Sequence, residues 1–357
     1  TATSQADGST SAAVTDTTTV SLVPGVALSA GHGDSAVPGQ AVTYTHTLTN
    51  TGNGPDTFAV TCTHDLGWDT QCAPASVDVA REATATVRVT VTPPADAVSG
   101  TVGTVTITAT SQADGSTSAA VTDTTTVSQV PGVALAPDRS GTSDPGQAVT
   151  YTHTLTNTGN GPDTFDLTQQ APSGWTVTVA PNPVTLGPRA AQTISVTVMP
   201  PADAISDTVG TVVVTATSQA DGSTSAAVTD TTTVSLVPGV ALSASHGDSA
   251  VPGQAVTYTH TLTNTGNGPD TFDLTQQAPS GWTVQVVPNP VTLGPRAAQT
   301  ISVTVTPPSD AISGTVGTVT ITATSQADGA VFATVRDTLT VTGAVHRIYL
   351  PVVLRGR

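Results

Sequence analysis

Val42-Thr43-Tyr44-Thr45-His46-Thr47-Leu48-Thr49-Asn50 is the stretch that decides how the chain folds. Val42, Tyr44, His46 and Leu48 alternate with four threonines. That period of two, with one apolar and one hydroxyl face, is what a half-buried β-strand requires. A chain with 32 Gly, 26 Pro and abundant Thr and Ser could also be a solvated, mucin-like stalk, but such a stalk has no reason to hold that register. Threonine and valine supply roughly a third of the 357 residues, and both are β-branched and favour strands. Good helix formers are scarce: there is no lysine, one methionine (Met199) and one glutamate (Glu82). Asp+Glu 25 against Lys+Arg 9 gives a net charge of -16, a field that repels phosphate backbones and excludes nucleic acid as a partner. No apolar run approaches the ~20 residues of a membrane helix.

The same strand recurs. Ser-Gln-Ala-Asp-Gly begins at Ser4, Ser111, Ser218 and Ser325, and Tyr44, Tyr151 and Tyr258 share that spacing. So do Phe58, Phe165 and Phe272, and Trp68, Trp175 and Trp282. A period of this length is too long for a solenoid unit and is the size of one sandwich domain. The chain therefore divides into residues 1–20, the final hairpin of an incomplete preceding repeat, then repeats at 21–127, 128–234 and 235–342, and a tail at 343–357. Residues 1–58 and 215–272 differ only at Gly31 against Ser245, which implies recent duplication, since packing alone tolerates far more variation.

Within the second repeat, strands are expected around Val133 to Ala136, Val149 to Asn157, Phe165 to Thr168, Trp175 to Ala180, Thr193 to Val198, Thr211 to Ser218 and Ala226 to Val234. Turn signals separate them, among them Asn160-Gly161-Pro162, Pro181-Asn182-Pro183 and the hairpin signal Asp221-Gly222. Seven short antiparallel strands predict an all-β fold of tandem immunoglobulin-like sandwiches in a linear array. At ~35 Å per domain, three would make a rod on the order of 100 Å. The Pro-containing junctions are short and favour a semi-rigid array.

Pro145-Gly146-Gln147, the run Tyr151 to Asn160, Asp163-Thr164-Phe165, Gly174-Trp175 and the stretch to Pro200-Pro201 together resemble the bacterial Ig-like modules of the NEW3 type, noted beside secreted α-galactosidases. The resemblance covers all three repeats. It implies a bacterial, extracellular or cell-surface setting and an accessory or structural role without catalysis.

Cys62 and Cys72 occur only in the first repeat, on neighbouring predicted strands either side of Trp68 and with the same inward parity. They are expected to form a cross-strand disulfide, in keeping with an oxidising compartment. His46, His153 and His260 sit on the inward face of the Tyr-x-His-x-Leu strand and are expected to be core histidines bonded to a threonine or a carbonyl. No His-x-His or His-Glu-x-x-His spacing marks a metal site, no Gly-x-Ser-x-Gly elbow marks a serine hydrolase, and no carboxylate pair stands out for glycoside hydrolysis. Neither a catalytic residue nor a cofactor is expected. Trp68, Trp175 and Trp282 read as core, with stacking on a sugar as the alternative. Asn157, Asn160 and Asp163, with their copies, read as caps of a Gly-rich turn, with calcium as the alternative.

Phe332 points outward from an inward-alternating strand where the other copies have Ser118 and Ser225, and the apolar tail carries Tyr349, Leu350 and Val352. These four residues are the expected inter-subunit contact. The function expected is that of a non-enzymatic extracellular stalk, spacer or fibre. Partners would be further repeats, other copies of the chain, cell-envelope components or glycans. Two alternatives stand beside it: a filament subunit joined by strand addition through the orphan hairpin, and a carbohydrate-binding or adhesive accessory of a secreted hydrolase.

Overall fold

The computed structural model describes residues 1–343. Tyr349, Leu350 and Val352 lie outside the described residues. Those described form strands and turns only, without helix.

Each repeat closes a two-layer sandwich of nine strands. In the second, one sheet has the order Val133–Ala136, Val149–Asn157, Ala191–Met199, Thr176–Ala180. The facing sheet has the order Arg139–Ser143, Ser225–Val234, Val209–Ser218, Asp163–Gln170, Val184–Leu186. The first and third repeats have the same two orders. The alternation that identified the strands is what fills the space between the sheets. Leu155, Phe165, Ile194, Val196, Val198, Val212, Val214 and Ala216 are wholly buried, while the intervening threonines face solvent or its edge. Cross-strand threonine pairs, such as Thr150 with Thr197 at 3.1 Å, line the outer face.

Two strands per repeat depart from the expectation of seven. Val184–Leu186 is a three-residue edge strand between turn residues. Arg139–Ser143 runs parallel to Ser225–Val234, so the sandwich is not purely antiparallel. Its sequence, Arg-Ser-Gly-Thr-Ser, has no apolar alternation because its side chains lie on a sheet edge and contribute little to the core. The Asp221-Gly222 signal does mark a hairpin, joining Val209–Ser218 to Ser225–Val234. The loop is longer than a two-residue turn, and its carboxylate accepts the Ser223 N–H and the Ser223 and Thr224 hydroxyls. Those bonds, led by the one from the Ser223 backbone, hold Asp221 below the usual carboxylate range.

Residues 1–20 form only a minimal ladder, Ala2–Thr3 with Ser11–Ala12. Val14 is 82 % and Val20 80 % exposed, whereas Val127, which corresponds to Val20, is 1 % exposed in its complete sandwich. Phe332 is 61 % exposed and faces away from the core.

The disulfide joins Cys62 on Asp56–His64 to Cys72 on Asp69–Ala73, with Cα atoms 6.1 Å apart. These strands belong to opposite sheets, so the bond is a clamp between layers and not the cross-strand link within one sheet that their closeness in sequence implied. Replacing both cysteines by serine removes a constraint on a loop of sequence separation 10. It is expected to destabilise the first domain by about 2–3 kcal/mol in the chain-entropy account, read as a lower urea midpoint for that domain with the other two unchanged.

Candidate functional site: the histidine and aspartate pair and the domain joint

His46, His153 and His260 are buried by the inward alternation of their strands, and His153 meets a carbonyl as expected, that of Pro137, but the partner common to all three was not foreseen. Each Nε2 meets an aspartate on the last strand of the facing sheet: His46 with Asp123 at 2.7 Å, His153 with Asp230 at 3.0 Å and His260 with Asp337 at 2.7 Å. All six side chains are fully buried. One signal for the aspartates was present in the sequence. On Ser118–Val127, Asp123 shares the parity of Val121, Thr125 and Val127, and that parity faces inward. A carboxylate at such a position requires a partner.

The other ring nitrogen differs between copies. In the first and third domains Nδ1 faces a serine hydroxyl, Ser29 at 3.3 Å and Ser243 at 3.5 Å. The ring then donates from Nε2 to an ionised aspartate and accepts at Nδ1, so the network balances with a neutral imidazole. The second oxygen of the carboxylate accepts a backbone N–H, that of His32 at 2.8 Å or of His246 at 2.9 Å. The second domain has Ala136 in place of the serine, and His153 Nδ1 lies 2.8 Å from the Pro137 carbonyl. That contact requires a proton on Nδ1, and the contact to Asp230 requires another, on the ring or on the acid. Asp230 Oδ1 has no partner, and burial pushes this carboxyl above its usual range, with His153 opposing.

A carboxyl raised in the native state supports folding fully below its unfolded value of ~3.9, and that support fades as pH climbs through the native value. We therefore expect hydrogen-exchange protection of Val209–Ser218 and Ser225–Val234, corrected for intrinsic rates, to fall as pH rises above the unfolded value of ~3.9. In Asp230→Asn the dependence is expected to vanish. A flat profile in the native chain would contradict this account.

Ser29, His46 and Asp123 stand in the order of a hydrolase triad, but the surroundings do not support the chemistry. Ser29 Oγ accepts the Thr47 N–H at 3.1 Å, the imidazole is sealed, and no groove among the described residues opens onto it. The tyrosine two residues earlier belongs to the same buried polar seam. Tyr44 Oη donates to the Thr124 carbonyl at 2.8 Å. Burial, with Asp248 and Asp337 nearby, pushes its copy Tyr258 up to about 12.

The tryptophans take the core position. Trp68 is buried, and Trp175 and Trp282 pack against the core clusters. Trp175 lies over Gly210 and Trp282 over Gly317, where any Cβ would collide with the indole. These glycines are fixed by the close approach of a ring to the neighbouring strand.

The Gly-rich loop does more than cap itself. Asn157 Nδ2 donates to the Gly161 and Leu186 carbonyls, and its Oδ1 accepts the Gly159 N–H. Asp163 accepts the Ser218 hydroxyl and the Ala220 N–H. Asn160 reaches into the preceding domain. Its Nδ2 donates to Ser128 and Ala97 carbonyls at 2.9 and 3.2 Å, and its own carbonyl accepts the Ser99 N–H at 2.9 Å. Asn267 repeats this with Ser235, Ala204 and Ser206 at 2.9, 3.3 and 3.0 Å. Beside the second joint a groove of about 570 Å³ is lined in part by Asp144, Gln147, Asn267 and Arg296. No curated protein matches the chain significantly in sequence. The model of the VWA7 Ig-like domain matches residues 25–127, 133–235 and 239–342, so the chain belongs to that family of Ig-like domains, present here as three in tandem.

Proposed function

We propose that the chain is a non-enzymatic, extracellular structural repeat protein, a stalk or spacer whose product is length. The observation that carries this reading is the hydrogen-bonded joint, made twice with the same residues, at Asn160 and Asn267. A flexible string of binding modules needs no such joint, whereas a strut does. The disulfide agrees with an oxidising compartment, and the NEW3-like pattern supports a bacterial cell surface or secreted setting. Small-angle scattering tests the reading. The native chain is expected to behave as a rod on the order of 100 Å with a narrow distance distribution. Asn160→Ala with Asn267→Ala is expected to broaden that distribution while each domain stays folded. A native chain that already samples bent forms as widely as the double variant would remove the strut reading.

A second reading, a filament subunit joined by strand addition, is favoured by one observation. Phe332, where the other copies carry Ser118 and Ser225, is 61 % exposed, an outward aromatic suited to contact another copy. Long uniform fibres in electron micrographs would favour it over short rods.

A further inference from the structure

The geometry points to a zinc site in the first domain, formed by His32, His46 and Asp123. Nothing in the ligand spacing announced it, since the three residues lie far apart in sequence and meet only when the sheets close. One ligand atom from each of His32, His46 and Asp123 lies within 4.8 Å of the others. His46 Nε2 is 2.7 Å from Asp123 Oδ2, and His32 Nδ1 is 3.8 Å from Asp123 Oδ1. Ligand atoms of a tetrahedral zinc are separated by about 3.3 Å, given metal bonds of about 2.0–2.2 Å. Reaching it means widening the 2.7 Å His46–Asp123 contact by about 0.6 Å and swinging the exposed His32 ring inward, since the three ligand atoms now spread over as much as 4.8 Å.

Two imidazoles and a carboxylate are a donor set that zinc favours, with a fourth position left for water. The chemistry balances. When the metal takes Nε2 of His46, the ring proton moves to Nδ1, where Ser29 Oγ, 3.3 Å away, becomes its acceptor. The His32 N–H already orients Asp123 through Oδ1, so both buried ligands have an outer partner that fixes them. The His32 side chain is 49 % exposed and stands over the other two, which are sealed, so the metal enters only as that ring swings aside.

The second domain shows that the exposed histidine is not needed for the core. It keeps the buried pair His153 and Asp230 but carries Arg139 at the position of His32, and Arg139 Nε donates to the Thr152 carbonyl. What His32 adds is a third donor above a pair that folds without it. In the third domain the histidine rings lie 5.0 Å apart at 52°, against 5.0 Å and 56° in the first. His246 also stacks on Tyr258, with ring centroids 6.3 Å apart. Near-identity of sequence therefore does not carry the ligand geometry over: among the described residues only His32, His46 and Asp123 bring three ligand atoms together.

The test is equilibrium dialysis and calorimetry of the tag-free full chain with zinc chloride at about 100 µM free metal. One zinc ion per chain is expected, lost in His32→Ala and kept in His246→Ala. Because both substitutions fall on exposed side chains, circular dichroism and the thermal midpoint without metal are expected to stay unchanged. His32→Gln, which keeps polarity without an imidazole, is expected to lose zinc like His32→Ala. A chain that binds no zinc under these conditions, or a His32→Ala variant that binds as much as the native chain, would overturn the assignment.

Discussion

Asp337→Ala is expected to destabilise the third domain by about 3–5 kcal/mol, a large share of the ~5–15 kcal/mol that holds a domain together, while the first two keep their stability. Asp337 accepts from His260 Nε2 at 2.7 Å and from the His246 N–H at 2.9 Å. Alanine removes both acceptors at once and leaves the sealed His260 ring with a donor that neither water nor protein can reach. It also opens a void between the last strand and Val256–Asn264. Native-state hydrogen exchange resolved by peptide would show protection lowered across Val316–Ser325 and Phe332–Val341 and unchanged in the earlier repeats. Asp337→Asn separates lost shape from lost bonding. Asparagine keeps an acceptor for the His246 N–H, and its amide can donate to Nε2 once the ring proton sits on Nδ1. Its cost is expected to be under about half that of alanine. Equal losses for the two variants would mean that charge, and not satisfaction of the donors, is what the site requires.

Phe165→Ala is the second large effect, a loss of about 3–5 kcal/mol confined to the second domain. Phe165 is wholly buried. It stands in register with Ser218 on one side and Val184 on the other, so its ring is the filler shared by three strands of one sheet and by the sheet opposite. The contacts around a ring this large cannot collapse inward without breaking two ladders, which places the expected cost toward the upper part of the range for aromatic truncation. Urea unfolding followed at Trp175, which packs on the same core, would report it. A shift below about 1 kcal/mol would imply that the sheets close over the void.

What could be read from the sequence was whatever repeats in step with the pleat. Tyr151, His153 and Leu155 announced their strand, its burial and its face, because a period of two has one structural meaning. Arg139–Ser143 escaped because an edge strand held by backbone bonds to a neighbour needs no apolar side chain. Asp123 was legible in part: its parity matched Val121 and Val127, but the surrounding Thr-Asp-Thr-Thr-Thr reads as a solvent face unless the final valine fixes the register. That the aspartate lies opposite His46, and that His32 stands above both, follows from how the two sheets are stacked, which no local pattern encodes. The same holds for Cys62 and Cys72, whose spacing fits a bond within one sheet or between two. Asn160 was readable as a turn cap, and its reach to Ala97 was not, since that depends on how one domain is set against the next.

The joints at Asn160 and Asn267 use corresponding donors and acceptors at nearly the same separations. Like joints imply like steps from one sandwich to its successor, and an array built from like steps is a screw. Equivalent surface sites wind around it in a stripe of fixed pitch and handedness. Duplicating a repeat lengthens that stripe without changing its course, so whatever recognises one turn of it would meet the next at a constant angular interval.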